Sequence, residues 1–310
     1  MRFFAGGYSE NSPGIALIDP QNGMKPMPSE VENPSWLLPN RDRSVLYAVS
    51  ETHPDGGAAA FRFENDALTL VSRQKCGGGS PCHLALSRDE RFLYAANYST
   101  GSVSVFPVNG AEILPRVQLV EHGEGAHAHC TVFHPADDAA YVCDLGLDRV
   151  FLYRQDPETG LLTREDELEV PKGAGPRHLI FDGNDRMYVA CELGSLLVFF
   201  EREAGKWIRR QILSTLPEGF EGRSSVAAIR LDGKTVCVSN RGHDSVAVFA
   251  LNEDGTCVSP SFRMTGASFP RDFRLFDGKL YAANQFGGCV TVDGKAKYAM
   301  PGVSCITEVL

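Results

Sequence analysis

Three arginines stand in short motifs beside groups able to hold anions or move protons: Pro176-Arg177-His178, Asn240-Arg241 and Pro270-Arg271-Asp272. Glu192 closes the apolar run Met187-Tyr188-Val189-Ala190-Cys191, and His127-Ala128-His129 opens another. Arginine keeps its charge at physiological pH and grips a carboxylate or phosphate with a planar fork. Glu and His accept and return protons, and cations beside them stabilise an oxyanion. There is no Gly-x-Ser-x-Gly elbow to present a covalent nucleophile, so attack by water is the economical chemistry. A metal route would need three or more clustered ligands. His127, His129, Asp144 and Glu192 come nearest to such a set, but the arginines argue against a cation there. The nine cysteines are widely spaced with no Cys-x-x-Cys, and several sit in strand-like apolar runs. They read as small buried side chains in a reducing compartment, not as zinc ligands. Neither a metal nor an organic cofactor is expected.

What positions these residues is a repeat. A phrase of the type Leu93-Tyr94-Ala95-Ala96-Asn97 ends at positions 50, 97, 144, 191, 240 and 284, in steps of 47, 47, 47, 49 and 44. A second anchor opens at Pro34, Pro81, Ala128, Pro176, Ser224 and Pro270, in steps of 47, 47, 48, 48 and 46. Each unit holds four strand-sized runs; in one they are Cys82–Ser87, Phe92–Asn97, Ser102–Pro107 and Arg116–Glu121. Turn formers such as Asp182-Gly183, Asp232-Gly233 and Asp277-Gly278 separate the first two runs of a unit. No stretch carries a helical period. Four antiparallel strands repeated every ~45 residues predict an all-β propeller. Six units run from about 34 to 300, and the chain ends supply a seventh. In that blade the C-terminal run Val303–Leu310 joins Arg2–Tyr8, Gly14–Asp19 and a third strand near Met24–Val31, which closes the ring. The prediction is one domain, 1–310, a seven-bladed β-propeller with four-stranded blades. Its last blade is short outside Val290-Thr291-Val292, so a frayed or three-stranded edge is expected there.

Antiparallel geometry then gathers the chemistry. The start of each first strand and the end of each second strand share one face, around the channel. His83, His127, His129, Arg177, His178 and Arg271 belong to the starts; Asn97, Asp144, Glu192, Arg241 and Asn284 belong to the ends. The opposite rim receives only turn-type Asp, Gly and Asn in this reading. Asn97, Asp144 and Asn284 suit either turn capping or ligand contact, and His83 and His178 suit either a structural or a binding role. His122 and His134 read as surface or loop residues. Three guanidiniums with two carboxylates nearby point to a small anionic ligand, a phosphate or carboxylate.

Composition narrows the partner classes. With 30 basic and 39 acidic residues the net charge is −9, which speaks against nucleic acid and against a polybasic membrane patch. No apolar run approaches a membrane span, and the first residues are too briefly apolar for a secretory leader. A cytoplasmic protein, monomeric or weakly dimeric, is expected.

At the site motifs the chain resembles the seven-bladed propeller lactonases, the bacterial 6-phosphogluconolactonases of propeller type. The likeness runs through Ser80-Pro81-Cys82-His83, His127-Ala128-His129, Asp144-Leu145-Gly146-Leu147-Asp148-Arg149, Gly173-Ala174-Gly175-Pro176-Arg177-His178, Glu192-Leu193, Ser239-Asn240-Arg241-Gly242-His243-Asp244-Ser245, Phe269-Pro270-Arg271-Asp272-Phe273 and Asn284-Gln285. It covers nearly the whole chain. The resemblance implies hydrolysis of 6-phospho-D-glucono-1,5-lactone to 6-phosphogluconate in the pentose phosphate pathway. The same fold family includes a fungal muconate-lactonizing cycloisomerase, whose catalytic pattern maps onto His129, Arg177, Glu192 and Arg241. Arg271, His83, His127, His178, Asn97, Asp144 and Asn284 are then the expected substrate contacts. Whether Glu192 or His129 is the base stays open. Cys191, Ala228 and the shortened last blade depart from the family pattern. A cycloisomerase acting on a carboxylated diene and a non-catalytic binding propeller are the alternatives.

Overall fold

The computed structural model describes residues 2–10, 12–27 and 29–308. Within these residues every regular element is a strand, and the strands form seven antiparallel sheets, the blades of a β-propeller. Blade 1 orders Val303–Glu308, Phe3–Gly7, Ile15–Asp19 and Gly23–Met27 from the axis outward. Blades 2 to 7 begin with Leu37–Pro39, Pro81–Leu86, Ala128–Phe133, Pro176–Asp182, Ser225–Asp232 and Pro270–Phe276. The expected third strand of blade 1 is therefore shorter, ending at Met27.

Two further expectations are corrected. Blade 7 is complete: Cys289–Val292 pairs with an outer strand Lys295–Ala299 through the tight Asp293-Gly294 turn. Blade 3 carries its fourth strand at Gln118–Glu121, and the two-residue Glu112–Ile113 pairs with the far end of the same third strand.

The recurring tyrosine phrase is what welds blade to blade. Tyr47, Tyr94 and Tyr188 occupy one register position of the second strands and are fully buried. Tyr94 donates to the Gly160 carbonyl of blade 4 at 2.8 Å, and Tyr188 donates to the Gly255 carbonyl of blade 6 at 2.7 Å. Gly160 has φ +72°, and a Cβ there would sit 2.2 Å from the Phe92 ring, so the close approach of blades 3 and 4 needs glycine. Apolar clusters fill each gap between sheets; Cys143, Val150, Met187 and Val198 share one, between blades 4 and 5.

Closure depends on Val303–Glu308, which pairs with Phe3–Gly7 from Phe3↔Glu308 to Gly7↔Val303. Ser304 ties this strand to blade 2 by donating to the Ser35 carbonyl at 2.7 Å. Ile306 is 1% exposed within the blade 7–blade 1 core. Replacing Ile306 with Ala should therefore destabilise the fold by about 2–5 kcal/mol, the usual cost of a cavity at a buried aliphatic side chain. Urea unfolding of the variant beside the parent protein measures it, and an unchanged midpoint would show that closure does not rest on this strand.

Candidate active site at one mouth of the channel

The first strand of a blade carries a β-bulge near its start. In blades 3, 4, 5 and 7 the pairing with the second strand skips one residue: Cys82, His129, Arg177 and Arg271 respectively. Blade 6 skips two, Ala227 and Ala228. A bulge leaves its extra residue unpaired and re-aims the side chain. In blades 3, 4, 5 and 7 it selects one residue at a common level of the channel, and three of these are His129, Arg177 and Arg271.

The second strands end at the same level with Glu192 and Arg241. Glu192 lies between two guanidiniums: its Oε2 is 2.8 Å from Arg177 Nε, and its Oε1 is 2.8 Å from Arg241 Nη2. Arg177 and Arg241 are only 4% and 5% exposed, whereas Glu192 is 19% exposed. Other donors of the arginines are spent on backbone: Arg177 Nη1 donates to the Ala227 carbonyl at 2.7 Å, and Arg241 Nη2 to that of Val226 at 2.9 Å. These bonds fix both planes. The buried Nε of each arginine has no aligned acceptor among the described residues. Arg241 also lies 5.0 Å from the Phe269 ring centre, and Phe269 stacks on the exposed Phe286 at 4.0 Å. Phe269 holds φ +68°, a conformation a bulky residue adopts only under constraint.

Arg271 forms a second station. It lies 5.5 Å from the Tyr8 ring centre and reaches Gln285 Oε1 only at 3.4 Å. No carboxylate stands within ion-pair distance of it among the described residues. Tyr8 donates to Glu51 at 3.0 Å, and Ser35 donates to the same carboxylate. Tyr8, Ser35 and Glu51 were not among the expected site residues. Glu51 had a signal: it follows Ser50 at the register of Glu192 after Cys191.

The electrostatics follow from crowding. Burial raises the Glu192 carboxyl, but Arg177 and Arg241 outweigh it, and the net direction is below the ordinary 4.5. Burial lowers Arg241 to about 10, with Arg177 adding to the effect. Arg177 is lowered too, by burial against the opposing pull of Glu192. Burial would lower Arg271 as well, yet Tyr8, Glu51 and Glu192 raise it overall.

The histidines form a column along the channel. Ring centres step 5.2 Å from His129 to His178, 5.5 Å from His178 to His83, and 4.4 Å from His83 to Trp36. Burial and then the neighbouring arginines push all three imidazoles down, His83 to about 3, so they are neutral. His129 is at the mouth beside Tyr98, with Nδ1 lacking a partner among the described residues. His178 and His83 lie below it. His127 is half-buried, stacked on Tyr98 at 4.5 Å with Nδ1 held by the Tyr98 carbonyl at 3.0 Å.

Three expected contacts are corrected. Asn97, Asp144 and Asn284 are completely buried; Asn97 and Asn284 bond within their own blades, and Asp144 also reaches the end of blade 3. Asn97 Nδ2 donates to Ser102 and Ser104, and Asn284 Nδ2 donates to the Ala282 carbonyl and Thr291. Asp144 accepts from the backbone of His127 and Leu147 and pairs with His122 Nδ1 at 2.6 Å. His122 is thus a buried partner, not a surface residue, and buried His134 caps a turn through the Asn184 carbonyl at 2.8 Å. The opposite rim is not bland either: Arg230 and Arg274 stand there. Among the described residues no group of three His, Cys, Asp or Glu side chains is arranged to hold a metal ion.

Residues 2–293 match the family model "Lactonase, 7-bladed beta-propeller". The chain belongs to that family. This lactonase is 32% identical over 293 residues to the 6-phosphogluconolactonase of Bacillus subtilis, covering 88% of this chain and 82% of that protein. Among solved structures it superposes on the periplasmic gluconolactonase PpgL of Pseudomonas aeruginosa with TM-score 0.90 and 28% identity, covering 100% of both chains. A Lactobacillus plantarum protein gives TM-score 0.89 and 28% identity over 99% of this chain and 98% of that one. The lactonase is an enzyme for a small lactone substrate, and the mouth described above is its candidate active site.

The Glu192 shift has a sign that can be checked. A carboxylate with a depressed folded-state pKa stabilises the fold above its unfolded value of about 4.5 and loses that contribution as pH falls through the lower folded value. The difference in melting temperature between the parent protein and Glu192→Gln should stay constant from about pH 8 to about pH 5 and change only below 4.5. A change centred near neutrality would mean that Glu192 is not held by the two arginines.

Proposed function

We propose that this lactonase opens 6-phospho-D-glucono-1,5-lactone to 6-phosphogluconate, as a step of the pentose phosphate pathway in the cytoplasm. The observation that carries the reading is the charge pattern of the mouth. Two arginines converge on one carboxylate, and a third, Arg271, has no ion-pair partner of its own among the described residues. The first group suits a carbonyl becoming an oxyanion, and the second suits a phosphate.

The lactone carbonyl oxygen lies toward Arg177 and Arg241. Glu192, ionised at neutral pH, takes a proton from water as the water oxygen bonds to the carbonyl carbon. The two guanidiniums stabilise the tetrahedral oxyanion that forms. The ring C–O bond then breaks, its electron pair passes to the ring oxygen, and Glu192 returns the proton there. Its depressed pKa makes the protonated form a ready donor. The new carboxylic acid ionises and releases a proton to solvent. Neutral His129, beside Tyr98, holds the water or a substrate hydroxyl by hydrogen bonding and need not change charge. One carboxylate thus serves as base and then as acid, and the proton count closes without a further group.

Opening of freshly prepared 6-phosphogluconolactone, measured against its spontaneous rate, tests the reading. Arg177→Ala or Arg241→Ala should lower kcat about 10²–10³-fold, the usual loss on removing an oxyanion donor (~2.7–4 kcal/mol). Glu192→Gln should abolish acceleration over the spontaneous rate. A fall of less than about threefold in Arg177→Ala, with the fold intact, would remove Arg177 from the chemistry. Arg271→Gln should raise KM for the phosphorylated lactone by about tenfold or more, the scale of a charged hydrogen bond, and leave KM for unphosphorylated gluconolactone nearly unchanged. Equal effects on both would show that Arg271 does not read the phosphate.

A further inference from the structure

The channel has a second mouth with its own chemistry. A cavity of about 410 Å³ opens there, lined by Trp36, His83, His178, Phe181, Arg230 and Arg274 among others. That volume is in the range of small-molecule sites. Arg230 and Arg274 hold equivalent positions in adjacent blades: Arg230 pairs with Cys237, and Arg274 with Tyr281, each the second residue of the repeated phrase. Val132 and Ile180 fill the same position in blades 4 and 5, opposite Tyr141 and Tyr188. Leu38 and Ala85 fill it in blades 2 and 3 and Thr307 in blade 1, so two guanidiniums interrupt a ring that is apolar in blades 2 to 5. Arg241 pairs with Ser225, five residues before Arg230 along the strand, so the two mouths lie roughly 15 Å apart.

The charge there is incompletely answered. Asp272 is the carboxylate in contact with Arg230, and its oxygens also accept the backbone N–H groups of Phe273 and Ile306. Arg274 Nε donates to the Ile306 carbonyl at 3.0 Å, and no carboxylate pairs with Arg274 among the described residues. Arg230 feels this: burial and then Arg274 lower it to about 10. The histidines of the wall are neutral, so they add no charge of either sign. Two donors of lining residues, Trp36 Nε1 and Arg230 Nε, are buried without an acceptor among the described residues. Leaving such donors unpaired is costly, and an acceptor in the cavity would relieve it.

We propose that this second mouth binds a small monoanionic carboxylate carried on an apolar or aromatic body. The carboxylate pairs with Arg274 and Arg230, and the body lies against Trp36 and Phe181. The apolar wall disfavours a strongly hydrated dianion such as phosphate, which separates this ligand from the substrate proposed for the other mouth.

Calorimetric titration of the full chain with benzoate tests this, with benzyl alcohol and inorganic phosphate as controls. The expected result is one benzoate per chain, with both controls much weaker. Arg274→Gln should weaken benzoate by about tenfold or more, the worth of a charged hydrogen bond, while Arg241→Lys leaves it unchanged. Should Arg274→Gln fail to fold, Trp36 fluorescence replaces it. The chain has two tryptophans, so in Trp207→Phe the remaining signal is that of Trp36, and benzoate should shift it. Absence of benzoate binding, binding lost in Arg241→Lys and kept in Arg274→Gln, or an unmoved Trp36 signal at saturation would each overturn the proposal.

Discussion

The chemistry proposed for this propeller depends on one electrostatic arrangement: a single carboxylate, Glu192, held between the guanidiniums of two neighbouring blades. Taken singly, each charge would be expensive at its depth. Taken together, the three are tolerable because the ion contacts are close and each arginine also donates to one backbone carbonyl. The arrangement is still one positive charge in excess, before Arg271 is counted. A site of this kind is stable enough to fold and unbalanced enough to attract an anion. That imbalance links its stability to its use.

The backbone device beneath it is the bulge at the start of the first strand. A regular ladder would alternate side chains between the two faces of a blade. The extra residue adds one side chain to the channel lining without lengthening the partner strand. Because the bulge recurs from blade to blade, the family of sites on this scaffold is a ring of independently variable positions. In this chain they read Cys82, His129, Arg177, Ala227 with Ala228, and Arg271. Ala228 leaves room where Asp272 sits at the equivalent register in blade 7. The rigidity needed to hold charges a few ångströms apart comes from the buried tyrosines and apolar layers that lock the blades.

The two mouths obey the same rule with different fillings. One gathers charge beside a largely buried carboxylate and aromatic lips at Phe269 and Phe286. The other sets two arginines in a ring that is apolar in blades 2 to 5. Between them the column from His129 to Trp36 is neutral, and the buried carboxylate Asp272, at the strand register of His83 and His178, answers Arg230.

Much of this was legible in the residue order. The period near 47 determined the blades, the C-terminal strand determined closure, and antiparallel geometry put Glu192, Arg177, Arg241 and Arg271 on one face. These follow from local periodicity, which any chain segment carries with it. What only the tertiary structure decided is which polar residues look into the channel. Asn97, Asp144 and Asn284 end the equivalent strands of other blades, yet Asn97 and Asn284 turn to hydroxyls of their own blades and Asp144 to backbone and to His122. His122 looked like a loop residue because its partner Asp144 is 22 positions away. Tyr8 meets Arg271 only because the ring brings the first and last blades together. Sequence spacing determines the phase of a side chain along its strand. Its environment is set by contacts across blades, and those exist only once the ring has closed.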